Sequence, residues 1–269
     1  MNEAEMLFAG ILNCSRLDLY LNKDLYLDKD KLAFISSALK RRISGESIEY
    51  ILGKTEFMGL EFKVNKDVFI PRPETEILVE TVMKYSYGVQ CIAYSAEILD
   101  LGTGSGCIAV SLAKFLPNSK ISALDISMEA LKLAQYNASL NNVSDKISFM
   151  HSDLFAQYAM RNTQYDIIVS NPPYIPTSEI DTLQPEIKYE PRIALDGGKD
   201  GLDFYRKIIS QAPVYLREGS FLIMEIGFNQ AAGVKNIFQN SGNFEIIEVV
   251  RDYNNIDRVI VAKNINSKH

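Results

Sequence analysis

The rhythm of apolar and polar positions changes twice along the chain. Up to about residue 50, apolar residues recur at helical spacing, as in LFAGILNCSRLDLYL and KDKLAFISSALKRRI, and no proline interrupts them. This predicts a small helical bundle. Ser44-Gly45 and Gly53 punctuate its end. TEFMGLEFKVNKDVFIP then alternates apolar and polar residues around a glycine and an Asn-Lys-Asp turn, which predicts a connecting β-hairpin. From Pro71 onward, short apolar runs alternate with helical segments. Strands are predicted at 97–101, 120–126, 146–151, 165–170, 220–226, 244–250 and 258–263. Between them CIAVSLAKFL, MEALKLAQYNASLN, LDFYRKIISQAPVYL and NQAAGVKNIFQ have helical periodicity.

Such alternation predicts an α/β fold, a doubly wound and mostly parallel sheet with helices on both faces. The last two strands are separated only by YNNID, so an antiparallel hairpin is expected at one edge. The division expected is a helical N-terminal domain over 1–53, a hairpin linker over 54–72 and an α/β domain over 73–269.

Composition narrows the classes. With 269 residues and 47% apolar content, the chain can bury a sizeable core. A formal net charge of -6 does not favour a protein whose affinity comes from neutralising phosphates, so direct nucleic-acid binding is not expected. Cys14, Cys91 and Cys107 are far apart and form no C-x-x-C pair, which suggests neither a disulfide framework nor a thiolate metal site. Acidic residues precede the short apolar stretch at the N-terminus, and no uncharged run is long enough to cross a bilayer. A cytoplasmic protein without membrane contact or a metal is expected.

ILDLGTGSG, at 98–106, is an apolar strand running into Gly102, Thr103, Gly104, Ser105 and Gly106, with a helix starting near Cys107. Glycines let a backbone approach a ligand closely, and the helix start offers unpaired N–H groups. The spacing G-x-G-x-G departs from the dinucleotide fingerprint G-x-G-x-x-G and counts against NAD. Asp125, nineteen residues beyond Gly106 at the end of the second predicted strand of the sheet, is suited to the hydroxyls of a ribose. Ser127 is a helix cap candidate. Asp153 and Leu154, after the third strand, suit the amino group and flat face of an adenine, although Asp153 is equally compatible with a simple loop cap.

The fourth strand delivers Asn171-Pro172-Pro173-Tyr174 to the same edge. Two prolines fix the backbone, since proline locks φ and restricts the residue before it. Asn171 can offer its side-chain oxygen and Pro172 its carbonyl, so a planar NH₂ could donate one hydrogen to each while Tyr174 packs on the flat group. Such a nitrogen is a poor nucleophile because its lone pair is delocalised. Gripping both hydrogens turns that lone pair toward an electrophile and stabilises the charge that develops on alkylation. The electrophile implied is the methyl of S-adenosyl-L-methionine, with S-adenosyl-L-homocysteine as product. A hydrolase is poorly supported, because only His151 and His269 occur and there is no G-x-S-x-G elbow.

DLGTGSG, then LD, then NPPY resembles the class I S-adenosylmethionine-dependent methyltransferases that act on planar nitrogen. Three more stretches narrow the resemblance: EYILGKTEFMGLEFKVNKDVFIPRPETE, YEPRIALDGGKDGLDFYRKII, and EIGFNQ with NIDRV. Together these are similar to the HemK/PrmC family. The resemblance implies a helical N-terminal domain, a hairpin linker and a seven-stranded methyltransferase domain. It also implies methylation of the glutamine side-chain amide in the GGQ motif of class-1 peptide chain release factors. It assigns Gly102 to Gly106, Asp125 and Asn171 to the cofactor, and Asn171 to Tyr174 to the substrate loop. Leu154 stands where relatives can have tryptophan. Arg72, Glu74 and Thr75 in PRPETE match a family signature, and from the residues alone Pro73 and Glu74 equally suit helix initiation. PRPETE argues against the related methyltransferase of a ribosomal-protein glutamine, and the acidic balance against a nucleic-acid base methyltransferase.

Overall fold

The computed structural model of the protein describes residues 2–21, 27–88, 96–156 and 164–266. Cys91 and His269 lie outside them. The N-terminal helices are α1 (Glu3–Leu12), α2 (Arg16–Leu21), α3 (Lys29–Ile43) and α4 (Ile48–Leu52). Each of Asn2, Asp28 and Ser47 accepts a backbone N–H in the first turn of the helix that follows it, satisfying a donor the helix cannot use itself. Leu7, Ala38 and Ile51 form their shared core. Strands β1 (Lys54–Phe57) and β2 (Leu60–Lys63) pair antiparallel across Met58-Gly59, both at positive φ, as a two-residue hairpin turn of the twisted kind requires.

Helix α5 (Pro73–Gly88) begins on its proline, where the missing N–H is no loss. There follow β3 (Glu97–Leu101), α6 (Cys107–Phe115), β4 (Lys120–Asp125), α7 (Met128–Leu140), β5 (Ile147–His151) and β6 (Tyr165–Ser170). After a long connection come α8 (Asp203–Gln211), β7 (Leu216–Glu225), α9 (Ala231–Ser241), β8 (Phe244–Arg251) and β9 (Asp257–Asn264). The seven strands run in the order β5-β4-β3-β6-β7-β9-β8. Pairing is parallel from β5 to β7 and antiparallel for β7-β9 and β9-β8, as the sequence led us to expect of the last hairpin. Only the starts and ends of strands differ: β7 begins at Leu216, four residues before its apolar run, along the less regular part of its pairing with β6.

Alternation along the strands divides the core between the two faces. Ile98, Ile167 and Ile223 pack under α5 and α6, whereas Leu99, Ile168 and Leu222 pack under α8 and α9 with Tyr205 and Phe238. The hairpin β1-β2 is anchored to the sheet by Asn137 of α7, which is fully buried. Its amide accepts from Lys63 N at 2.8 Å and donates to Lys63 O at 3.0 Å and Ser105 O at 2.8 Å, tying β2 to the glycine loop.

The segment between β6 and α8 holds only short 3-10 turns, among them Thr177–Thr182, Ile187–Tyr189 and Arg192–Ala194. It reaches both the linker and the N-terminal helices. Buried Glu190 pairs with Arg72 and accepts from Ile70 N at 3.3 Å. Glu186 meets Arg42 at 3.0 Å, and the Tyr189 hydroxyl donates to Ser44 O at 3.0 Å. Arg42 also pairs with Glu3, and its neighbour Arg41 with Glu46.

Candidate active site

The carboxyl ends of β3, β4, β5 and β6 open onto one cleft of about 150 Å³, at the edge where doubly wound sheets bind ligands. The backbone turns sharply as β3 ends, with Gly102 and Gly104 both at positive φ. No atom lies within 4 Å of where a Gly102 side chain would begin, so that space belongs to the cleft. Thr103 is buried, and its hydroxyl donates to the Asp100 carboxylate at 2.6 Å, which holds the loop to its strand. Gly106 does not line the cleft. It sits against α7, where a Cβ would approach Ala134 Cβ to 3.0 Å.

Asp125 ends β4 beside this loop. One carboxylate oxygen accepts from Gly104 N and the other from Ser127 N, both at 2.8 Å. Burial raises the carboxyl's pKa, partly offset by the backbone N–H groups of Ser127, Gly104 and Ile126 and by nearby His151, and a carboxylate's two oxygens can accept more hydrogen bonds than these. Ser127 caps α7 as its sequence position suggested, accepting from Ala130 N. Asp153 and Leu154 also line the cleft, with Leu154 at φ 49°, a left-handed conformation rare for an aliphatic residue. The Ser152 hydroxyl donates to its carbonyl at 2.8 Å.

Across the cleft, Asn171, Pro172, Pro173 and Tyr174 follow β6. Asn171 donates from Nδ2 to Thr75 Oγ1 at 3.1 Å, and its Oδ1 accepts no hydrogen bond from the described residues. The backbone of Tyr174 is gripped from several sides. Gln230 Nε2 donates to its carbonyl at 2.8 Å, a Cβ on Gly197 would lie 2.7 Å from its Cα, and one on Gly227 would lie 2.9 Å from its ring. Burial raises its phenol above the ordinary range. The rest of the wall is apolar: Phe69 and Pro71 from the linker, Pro191 and Ile193 from the segment before α8.

The residues singled out from the sequence for the cofactor and the amide thus meet around one cleft, Gly106 excepted. Of PRPETE, Thr75 is there too, buried and in contact with Asn171, whereas Arg72 and Glu74 do not line the cleft. Glu225, behind Thr75 at the end of β7, and the Phe69 and Ile193 walls were not foreseen. For Glu225 the only sequence signal was an acidic residue closing an apolar strand.

The cleft suits an adenosyl ligand on its own terms. Its floor is backbone with no side chain at Gly102, a carboxylate with spare acceptor capacity stands at the second strand, and its walls are largely apolar.

Comparison with known proteins agrees. The PrmC N-terminal domain family matches residues 1–53, and the methyltransferase small domain family matches residues 73–187. A release factor glutamine methyltransferase of Geobacter sulfurreducens is 42% identical over 259 residues, covering 96% of this chain and 87% of that protein. One of Thermodesulfovibrio yellowstonii is 41% identical, covering 99% of this chain and 94% of that protein. The crystal structure of a methyltransferase from Pyrococcus furiosus shares the fold, with a TM-score of 0.54 at 17% identity, covering 89% of this chain and all of that one. At more than 40% identity over nearly its whole length, the chain belongs to the release factor glutamine methyltransferase family.

Proposed function

We propose that this enzyme uses S-adenosyl-L-methionine to methylate the side-chain amide nitrogen of the glutamine in the GGQ motif of class-1 peptide chain release factors. The observation that carries the reading is Asn171: its amide nitrogen is occupied by Thr75, so its oxygen is the end left to accept a hydrogen in the cleft. The cofactor, when bound, supplies a methyl group on a sulfonium that departs as a neutral thioether. Asp125 would accept from the ribose hydroxyls, the Gly102–Ser105 backbone would hold the cofactor, and Asp153 with Leu154 would take the adenine. Asn171 Oδ1 and the Pro172 carbonyl each accept one hydrogen of the substrate amide, and Tyr174 packs on its plane. This holds the nitrogen lone pair in line and disperses the positive charge that grows as the new N–C bond forms. The nitrogen then loses one proton to water.

In this reading residues 1–53 hold the release factor, residues 54–72 link the domains, and residues 73–269 perform the transfer. The family matches to 1–53 and 73–187 support that division. A soluble cytoplasmic site of action accords with a translation-factor substrate, and no described helix is long and apolar enough to cross a membrane. The test is mass spectrometry of a purified release factor after incubation with the protein and S-adenosyl-L-methionine. One added methyl on the GGQ glutamine is expected; methylation of DNA or RNA with none on the factor would overturn the assignment.

A further inference from the structure

Glu225 is a carboxylate where the fold gives it little reason to be. It is buried, with 1% exposure, and forms no salt bridge among the described residues. Arg258, whose charge acts on it, is committed to Asp252 at 3.1 Å. Burying an unpaired charge is costly unless something uses it. Its contacts lead to one place. Thr75 Oγ1 donates to Glu225 Oε2 at 2.7 Å, Asn171 Nδ2 donates to Thr75 Oγ1 at 3.1 Å, and the Tyr174 hydroxyl lies 3.5 Å from Glu225 Oε1. Thr75, Asn171 and Tyr174 line the cleft; Glu225 stands behind them.

We propose that Glu225 and Thr75 are a positioning pair that sets which end of the Asn171 amide faces the cleft, an inference that rests on the methyl-transfer reading above. The polarity follows from donor counting. An ionised carboxylate only accepts, so the single Thr75 hydroxyl hydrogen is committed to Glu225. The Thr75 oxygen is then left to accept, and only the NH₂ end of Asn171 can satisfy it. The carbonyl end is turned to the substrate, whose own NH₂ requires an acceptor. A group at 225 able to donate removes this order. It could give its hydrogen to Thr75, Thr75 could give its own to Asn171 Oδ1, and the amide could turn over to oppose donor with donor.

The protonation of Glu225 bears on the same switch. Burial pushes its carboxyl up to about 7, against the pull of the Thr75 hydroxyl and Arg258 and with the repulsion of Glu74. The other titratable groups facing it are Tyr174, Cys107 and Tyr205, whose hydroxyl donates to the Glu225 carbonyl at 3.0 Å. The order is therefore kept above neutral pH and lost below it.

The test compares the full chain with Thr75→Val, Thr75→Ser and Glu225→Gln. Methyl transfer to a release factor, S-adenosyl-L-methionine affinity by calorimetry and thermal unfolding are measured on each. Thr75→Ser keeps the hydroxyl and should hold kcat within about threefold of the original, whereas Thr75→Val and Glu225→Gln should lose about 100-fold in kcat. Cofactor affinity should move by less than about threefold. The acid limb of the kcat profile near neutrality should vanish in Glu225→Gln. Without cofactor or substrate, the Asn171 side-chain NH₂ resonances should show slowed hydrogen exchange in the original protein that is lost in Thr75→Val. Undiminished kcat in Thr75→Val, equal losses in Thr75→Ser and Thr75→Val, or Asn171 exchange unaffected by either change overturns the proposal. An original protein inactive on release factors, yet with the exchange pattern as expected, would overturn the substrate reading and leave the pair standing.

Discussion

Asn171 and Asp125 lie on opposite sides of one cleft and should fail in different ways when removed. On the proposed reading Asn171→Ala deletes an acceptor whose contribution is greatest as charge develops, so kcat should fall by about 100-fold, or about 3 kcal/mol, with cofactor affinity nearly unchanged. Steady-state kinetics beside calorimetry separates the two quantities, and parallel losses would contradict the role. Asp125→Ala should instead weaken cofactor binding by at least about tenfold, since it removes charge-assisted hydrogen bonds, and unchanged calorimetric affinity would remove it from the site. Both residues were legible in the sequence because each stands at the end of an apolar run, where chain order alone brings them to the same sheet edge. Glu225 also ends a strand, but its contact with Thr75 spans 150 residues of chain, and no local pattern announces such a pairing. Gly106 shows the converse: a motif glycine next to a ligand loop whose space is taken by Ala134 of a helix.

Among the elements, the strands were readable because a buried parallel sheet demands continuous apolar runs, and the hairpin because Met58-Gly59 lies between alternating residues. The connection from β6 to α8 was not. Its turns are too short to have a period, and what shapes it is remote: Arg72 and Ile70 on Glu190, Arg42 on Glu186, and Ile175 N donating to Leu195 O at 3.0 Å. The anchoring of the hairpin by Asn137 belongs to the same class. Asn137→Leu keeps the branching and heavy-atom count but leaves the Ser105 carbonyl buried and unpaired and the part-buried Lys63 groups without their partner, so unfolding free energy should drop by about 3 kcal/mol in a denaturant titration. A loss below about 1 kcal/mol would mean that the hairpin rests on the apolar contacts of Phe57 and Phe62 instead.

For the molecule as a whole, two fully buried carboxyls set an unusual acid dependence. Burial pushes both Asp100 and Glu225 up to about 7, well above their unfolded values. Between roughly pH 4 and 7 the folded chain then holds protons that the unfolded chain has released, so these groups make stability decline as pH rises through that interval. The carboxylates held low by partners, such as Asp200 at about 2 beside Arg206, withdraw their support only at more acid pH. The net charge of -6 at pH 7 acts in the same sense, because self-repulsion grows as further groups ionise. Thermal unfolding at constant ionic strength should therefore give a higher Tm near pH 5.5 than at pH 8, and Glu225→Gln should flatten the slope. A Tm that rises over this range would contradict it. Catalysis should follow the opposite trend, so the conditions for longest storage and for fastest turnover differ.

The crowding of Tyr174 by Gly197 and Gly227 has a consequence for how this protein can vary. A methyl group at residue 197 would press on the Tyr174 main chain itself, which has no rotamer by which to escape. The shape of the corner around Tyr174 is thus encoded partly by what two distant positions lack, and a lineage that kept NPPY letter for letter could still ruin it by gaining a single carbon elsewhere.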